Sequence, residues 1–439
     1  MGVFGASASG WFPKMANRAN ADTTGADSST GKKKSPKKRH CILLWMPGGP
    51  TQTDTFDMKP NHENGGEFKE IATSVPGLRF SEHLPNLAKH AEHLAVVRSL
   101  STKEGDHGRG TYLMRTGESP MGPVNYPPIG AALAKTMPSG QQELPNYVSI
   151  GPFRAFNRDA FGPGFLGAKY APLVVGATDG ANNAVGDDGY ARLQVDSLKA
   201  PVGKERMARR LEMWEQLQAS YLADHPDSAA AKAHHQTYER TVNMMSKKAG
   251  EAFDLSKEDA TLREAYGKGV FGQGCLLARR LIERGVSFVE VSLGTTSGGI
   301  GWDTHADNFN AVKTLSGELD AGWATLIEDL KLRGMLEDTT ILWMGEFGRT
   351  PKINQNAGRD HFPQAWSCVF AGGGIAGGQA YGKTTADGME VDENKVGVEE
   401  VLATLCKAVG MSPLEEKYTD NGRPIPLVEE GEPIDDLLA

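Results

Sequence analysis

The chain has 439 residues, of which 39% are hydrophobic and 23% are charged, and its formal net charge is −8 at pH 7. This composition is ordinary for a globular protein, and the length suffices for one large α/β domain or two smaller ones. The negative charge excludes a general nucleic-acid binder, because such proteins need a basic surface. No stretch approaches the ~20 apolar residues of a membrane span, so we expect none.

The first 21 residues resemble the end of an export signal. They are rich in small residues, and Ala19-Asn20-Ala21 fits an A-x-A cleavage site. The positive region that should precede it is missing, so we expect the true start to lie upstream, with a twin-arginine or general export signal. The protein would then be periplasmic or secreted. The alternative is a disordered cytoplasmic tail. Residues 22–39 are polar and predict a flexible linker.

Predicted strands and helices alternate after the linker. In chain order they are the strand Cys41–Met46, the helix Leu84–Leu94, the strand Ala95–Leu100 with a loop at Ser101–Gly110, the strand Tyr147–Ile150, a helical block near 203–283, the strand Val286–Leu293, the amphipathic helix Leu315–Arg333 and the strands Thr340–Met344 and Trp366–Phe370. Such alternation predicts an α/β fold with a doubly wound, mainly parallel sheet flanked by helices. We expect one domain over residues 40–439, with the helical block as an insertion.

Four loops that follow predicted strands carry reactive side chains. They contain Asp54 after the first strand, His107 and Arg109 after the second, Asp303 and His305 after the third, and Glu346, Arg349, Asp360 and His361 after the fourth. Ligands of open α/β sheets bind beyond the carboxyl ends of the strands, which lie at one edge of a parallel sheet. The sequence therefore predicts that these groups converge on one pocket.

The residue types in these loops suit a divalent metal ion and an anionic ligand. Imidazole and carboxylate favour Zn²⁺ or Mn²⁺, whereas all-oxygen sites favour Ca²⁺ or Mg²⁺. Nearby arginines would donate to a phosphate or sulfate. Each residue also has a simpler interpretation: Asp303 could cap a helix, and Glu346 could form a structural ion pair with Arg349. The adjacent His234 and His235 are better explained as solvated helix residues, since neighbouring helical side chains point about 100° apart.

Six segments resemble a known family. They are Gly48–Asp57, Asp106–Gly110, Met114–Gly117, Trp302–His305, Gly345–Pro351 and Gly358–His361. Together they resemble a family of exported bacterial sulfatase-like proteins with a domain of unknown function, within the alkaline-phosphatase and sulfatase superfamily. The resemblance implies an alkaline-phosphatase-like fold and hydrolysis of an anionic ester, such as a sulfated or phosphorylated glycan, with the help of a metal ion.

The chain departs from the superfamily pattern at three places. The first strand of such enzymes ends in acidic ligands, whereas this chain has Gly48 and Gly49, which leaves Asp54 as a displaced candidate. By its distance from Met114–Gly117, His107 stands where the sulfatase nucleophile would be. Glu346-Phe347-Gly348 replaces the superfamily's Asp-His-Gly.

Three hypotheses follow from the resemblance and its departures. In the first, a rebuilt site holds a divalent ion that acidifies a water for attack on a sulfate or phosphate ester. Its predicted ligands are Asp54, Asp303, His305, Glu346, Asp360 and His361, with His107, Arg109 and Arg349 as catalytic residues. In the second, His107 is itself the nucleophile. In the third, the protein is not an enzyme and binds an anionic glycan or a partner protein.

Overall fold

The structure is a computed structural model that describes residues 39–137, 144–176, 185–195, 198, 202–226, 228–245, 247–294, 300–419 and 422–439. The segment Lys38–Ala439 forms one compact unit. The predicted signal remnant at 1–21 and nearly all of the linker at 22–39 lie outside the described residues, so those two predictions remain predictions.

Among the described residues, the central sheet has eight strands. They are β1 (His40–Trp45), β2 (Leu94–Leu100), β3 (Tyr147–Ile150), β4 (Leu173–Val175), β5 (Phe288–Ser292), β6 (Thr339–Met344), β7 (Trp366–Gly372) and β8 (Gln379–Tyr381). Their order across the sheet is β8-β2-β7-β6-β1-β5-β3-β4. β7 pairs antiparallel with β2 and β6, and the other pairings are parallel. The predicted mainly parallel α/β sheet is confirmed.

The central strand β1 shows why this sheet forms. Its sequence HCILLW is apolar and buried at all six positions. Because side chains alternate across a strand, Ile42 and Leu44 enter the core on one face, and Leu43 and Trp45 enter the core on the other. A strand covered on both faces needs helices on both sides of the sheet.

Helices supply both layers. They are α1 (His107–Thr116), α2 (Ile129–Thr136), α3 (Lys204–Asp224), α4 (Ala229–Met244), α5 (Lys247–Ala252), α6 (Ala260–Tyr266), α7 (Val270–Glu283), α8 (Asn308–Leu332) and α9 (Val398–Ala408). α7 and α8 pack on the face that contains Ile42, whereas α2 and α9 pack on the face that contains Leu43. Among the described residues, no helix combines the length and apolar character needed to cross a membrane.

Smaller elements complete the unit. Two-stranded antiparallel hairpins join Glu70–Ala72 to Arg79–Ser81, Gly348–Arg349 to His361–Phe362, Lys383–Thr384 to Val391–Glu393, and Glu416–Tyr418 to Pro424–Pro426. The predicted helical block at 203–283 contains α3 to α7, and α7 belongs to the core because most of its side chains are buried.

Two predicted elements differ in the structure. The loop predicted over Ser101–Gly110 ends early, because α1 begins at His107 after Asp106, whose side chain caps the helix by accepting from the Arg109 backbone N–H at 3.0 Å. The helix predicted at Leu84–Leu94 is a 3-10 helix over Leu87–His93. Its first N–H groups donate to a side chain of α8 instead of continuing an α-helical ladder.

Candidate metal centre

Four parallel strands deliver the site to one edge of the sheet. β1, β2, β5 and β6 run in the same direction, so the loops that follow them emerge together. These loops contribute His107 from the start of α1, Asp303 and His305 from the segment before α8, and Glu346 from the loop after β6. His361 joins them because its hairpin partner is Arg349, three residues after Glu346. We call these five residues, His107, Asp303, His305, Glu346 and His361, the imidazole–carboxylate cluster.

Asp303 lies at the centre of the cluster. Its Oδ1 atom is 3.4 Å from His107 Nε2, 3.1 Å from His305 Nε2 and 3.4 Å from His361 Nε2. The Nε2 atoms of His305 and His361 are 3.0 Å apart. One ligand atom each from His107, Asp303 and His361 lies within 4.8 Å of the others. Three imidazoles and a carboxylate therefore point at a common position.

Each imidazole is held through its other nitrogen. Nδ1 of His107 lies 2.6 Å from Glu346 Oε1, and Nδ1 of His305 lies 2.7 Å from Asp360 Oδ1. Nδ1 of His361 lies 2.8 Å from the carbonyl oxygen of Gly105. An acceptor at Nδ1 fixes the proton there and leaves the Nε2 lone pair available, which is the usual arrangement around a metal-bound histidine. The geometry thus fits a cation at the point where the Nε2 atoms meet.

Glu346 is a fully buried carboxylate in contact with His107. Its Oε1 accepts from the backbone N–H of Gly48 at 2.8 Å and contacts His107 Nδ1. Its Oε2 is buried and has no hydrogen-bond partner among the described residues. A buried carboxylate oxygen without a partner is unfavourable unless a positive charge lies close to it. This orphaned oxygen is a second observation that fits a cation beside His107.

Gly48 explains why the first strand does not end in an acidic residue. Its φ is +103°, and a Cβ atom there would lie 2.3 Å from the backbone nitrogen of Asp303. A side chain at position 48 would therefore displace the segment that carries Asp303 or shift the backbone N–H that donates to Glu346. The arrangement of Asp303 and Glu346 therefore depends on a glycine at position 48.

The charges within the cluster stabilise one another. Burial opposes a charge on Asp303, but hydrogen bonds with His107 and His361 and the guanidinium of Arg349 outweigh it and hold the pKa of the carboxyl well below its usual range. Burial also opposes a charge on His107, but contacts with Asp303 and Glu346 raise its pKa to about 9. The protein without an ion thus favours a positive charge at the place where a cation fits.

Arg349 was predicted to bind the substrate anion. The structure buries it completely. Its guanidinium donates to the backbone carbonyls of Gly48, Gly49 and Arg359, and contacts Asp303 Oδ1 at 2.5 Å. With its donors engaged inside the protein, Arg349 positions Asp303 and does not present N–H groups to a ligand. We propose this positioning role in place of the predicted one.

Asp54 was predicted as a metal ligand, and the structure does not bring it to the cluster. The carboxylate is fully buried and forms a two-point ion pair with Arg359, at 2.7 Å and 2.8 Å. It also accepts from Thr51 Oγ1 at 2.9 Å and from Asn308 Nδ2 at 2.8 Å. Because both oxygens are occupied by protein donors, we propose a structural role for Asp54 instead of the ligand role.

Arg109 and Asp360 take peripheral positions. Arg109 is exposed and pairs with Glu104 at 2.7 Å and Asp106 at 3.8 Å. It follows His107 by two residues on α1, so the two side chains point about 160° apart. Asp360 is exposed and contacts His305 Nδ1, on the side of the ring opposite the nitrogen that faces Asp303, and we propose that it orients His305 in place of the predicted ligand role.

Several contacts of the cluster carry no recognisable sequence signal. The ring of Phe156 stacks on His107, with centroids 4.1 Å apart and planes 3° apart. Phe347, which stands in place of the superfamily's histidine, packs against His107 at 4.9 Å and His361 at 4.6 Å. Apolar rings therefore close these sides of the cluster. Phe156 follows no motif and lies outside the helices and strands.

Comparison with known proteins gives distant structural likenesses. A protein in the alkaline phosphatase superfamily from Vibrio parahaemolyticus has a TM-score of 0.35 and 12% identity, over 92% of this chain and 71% of that chain. The PsFucS1 sulfatase from Pseudoalteromonas sp. has a TM-score of 0.35 and 13% identity, over 85% of this chain and 68% of that chain. The lipoteichoic acid synthase LtaP from Listeria monocytogenes has a TM-score of 0.36 and 11% identity, over 86% of this chain and 72% of that chain.

Identities this low concern the fold alone and do not bear on the chemistry of the site. No curated protein matches the chain significantly. A family model does match, from residue 38 to residue 438, under the description "Protein of unknown function (DUF1501)", and the chain belongs to that family.

Proposed function

We propose that this protein is a metal-dependent hydrolase of sulfate or phosphate esters with a single divalent ion. The main support for this proposal is that the Nε2 atoms of three imidazoles converge on Asp303. Each imidazole is held at Nδ1 by a hydrogen-bond acceptor on the side of the ring away from Asp303. His107, Asp303 and His361 would hold the ion, and His305 would complete the set. A mixed imidazole and carboxylate set favours Zn²⁺ or Mn²⁺ over Ca²⁺ or Mg²⁺.

When bound, the ion would attract the anionic ester, polarise it and lower the pKa of a water molecule. The chain's own residues prepare that position. The guanidinium of Arg349 holds Asp303 in position. Glu346 fixes the orientation of His107, and Asp360 fixes that of His305. Phe156 and Phe347 cover the imidazoles with apolar surface, which lowers the local dielectric and strengthens charge interactions. The proposed substrate class is a small or glycan-linked sulfate or phosphate ester.

His107 is less suited to a nucleophilic role. Both of its nitrogens face carboxylates, Nδ1 towards Glu346 and Nε2 towards Asp303. A nucleophile needs a lone pair directed at the substrate, whereas in the proposed site the Nε2 lone pair would point at the ion, and without an ion these contacts favour the protonated ring. The same observation supports a second candidate function, a non-enzymatic protein that binds an anionic glycan or a protein, because the cluster would then be a fixed cationic element.

Metal content and activity together separate the two candidates. The full chain is purified without chelator, its bound metal is measured, and hydrolysis of aryl sulfate and aryl phosphate is assayed with added Zn²⁺, Mn²⁺, Ca²⁺ or Mg²⁺. We expect about one ion per chain, and we expect its loss together with activity in Asp303→Asn and His361→Ala. His234→Ala, at an exposed position on α4, is the matched control. Metal binding without hydrolysis of either ester would favour the binding protein, and no metal at all would overturn the proposal.

A further inference from the structure

Among the described residues, helix α3 packs against the rest of the chain through one face. The packed side chains are half-buried and recur at helical spacing at Met207, Leu211, Trp214, Gln218 and Leu222. Trp214 stacks on Tyr238 of α4, with ring centroids 4.1 Å apart. Among the described side chains of this 21-residue helix, none is fully buried. α3 therefore rests on α4 and leaves most of its surface outside the core.

A second apolar stripe lies on the exposed side of α3. Met213, Leu217 and Tyr221 follow one another at intervals of four residues and are 64%, 65% and 49% exposed. Residues four apart on a helix are neighbours on its surface, so these side chains form a continuous strip. Single exposed apolar residues are normal in globular proteins, but a contiguous strip is typical of an interaction surface.

The charges that flank this strip are arranged with opposite sign at its two ends. Arg206 and Arg209 precede Met213, and Asp224 ends the helix. At 100° per residue these charged residues and the three apolar ones fall within an arc of about 120°. This exposed surface of α3, which lies beside the face that packs on α4, is thus basic at its start, apolar in the middle and acidic at its end.

This pattern complements itself when two copies of the helix run antiparallel. With a two-fold axis at the level of position 215 along the helix, residues equally distant from this position lie at the same level. Met213 then meets Leu217 of the second copy, and Arg206 meets Asp224. Two apolar contacts and two ion pairs form at once, because the symmetry repeats each contact. A parallel pairing would instead place like charges together.

We propose that α3 is a self-association surface, through which two copies of the chain form an antiparallel, two-fold symmetric dimer. The surface belongs to a helical hairpin and involves no residue of the imidazole–carboxylate cluster, so it is independent of the proposed ester hydrolysis. A strip along one helix is smaller than the ~800 Å² per partner of a standard interface. The dimer is therefore expected to be weak and to dissociate on dilution.

Sedimentation velocity of the full chain, from low to high micromolar concentration, tests the proposal. The wild type should shift from monomer to dimer across this range. Leu217→Glu should weaken the dimer by about tenfold or more, because it places a carboxylate in the apolar middle of the contact. Leu332→Glu is the matched control, since Leu332 is 77% exposed at the end of α8 and lies outside the surface.

Charge reversal tests the antiparallel register. Arg206→Asp and Asp224→Arg should each weaken the dimer, because each places like charges opposite one another, and the double variant should restore it. Circular dichroism confirms that the variants remain folded. A wild type that stays monomeric at every concentration, a dimer that Leu217→Glu leaves unchanged, or a double variant that is weaker than either single one would each overturn the proposal.

Discussion

The guanidinium of Arg349 contacts Asp303 Oδ1 at 2.5 Å from a fully buried position, and its other N–H groups donate to backbone carbonyls. The residue thus ties the loop after β1 to the segment that carries Asp303. These contacts of Arg349 stabilise the fold and also stabilise the negative charge on Asp303.

Arg349→Met should lower the free energy of unfolding by about 3 kcal/mol or more, because it leaves Asp303 without its guanidinium and several carbonyls without donors. Arg109→Met, at an exposed surface pair, should change it by no more than about 0.5 kcal/mol. Urea unfolding measures both. If Arg349→Met leaves stability intact and raises only the KM for an anionic ester, Arg349 binds the substrate, as the sequence suggested.

Asp360 offers a test of how the cluster is oriented. It accepts from His305 Nδ1 at 2.7 Å and is itself exposed. Asp360→Asn should weaken binding of Zn²⁺ by about 10- to 100-fold, because a lost outer partner lets the imidazole turn. Isothermal titration calorimetry measures the affinity, and Asp392→Asn, on a surface hairpin, is the control. Equal affinity in both variants would mean that His305 contributes nothing to the ion.

The variants Asp54→Asn and Asp303→Asn should distinguish a carboxylate with a structural role from a carboxylate that binds the metal ion. Asp54→Asn removes the charge that pairs with the fully buried Arg359 and should destabilise the protein by about 3–5 kcal/mol. The metal content of the folded fraction should remain that of the wild type. Asp303→Asn should show the opposite pattern, with lost metal and a smaller loss of stability. Loss of the ion in Asp54→Asn at unchanged stability would restore the predicted ligand role.

The sheet could be predicted from the sequence because each of its central strands is recognisable from its own residues. β1, β5 and β6 are short apolar strands, and their parallel alignment follows from the helices between them. The convergence of Asp303, Glu346 and His361 followed from the same reasoning, since loops after parallel strands share an edge. The start of α1 could also have been found, because Asp106 is a capping residue directly before His107.

The roles of the individual charged residues could not be read from the sequence. Arg359 meets Asp54 across 305 positions of chain, and no local pattern distinguishes that pair from a metal ligand and a substrate-binding arginine. The direction of Arg349 depends on a two-residue hairpin strand, in which a shift of one position would reverse its side chain. Phe156 reaches His107 from an irregular segment with no periodicity to interpret.

The pH dependence of stability should contain a contribution from Glu118, which lies after the end of α1 and apart from the cluster. Burial, together with the neighbouring carboxylates Glu429 and Glu399, raises its pKa from 4.5 to about 7. Between these values the folded chain holds a proton that the unfolded chain has released. The free energy of unfolding therefore falls as the pH rises through this window, and the contribution is modest because the side chain is only half-buried.

Glu118→Gln removes the titrating group and should flatten this part of the profile. Relative to the wild type, the variant should be more stable at about pH 8, where Glu118 is charged among like charges, and nearly equal at about pH 5, where it is neutral. Thermal unfolding at both pH values measures the difference, and Glu432→Gln at an exposed position is the control. Added salt should shrink the gain at the higher pH, because it screens the repulsion from Glu399 and Glu429. A gain that is the same at both pH values would show that the substitution acts through packing, and that Glu118 does not titrate in this range.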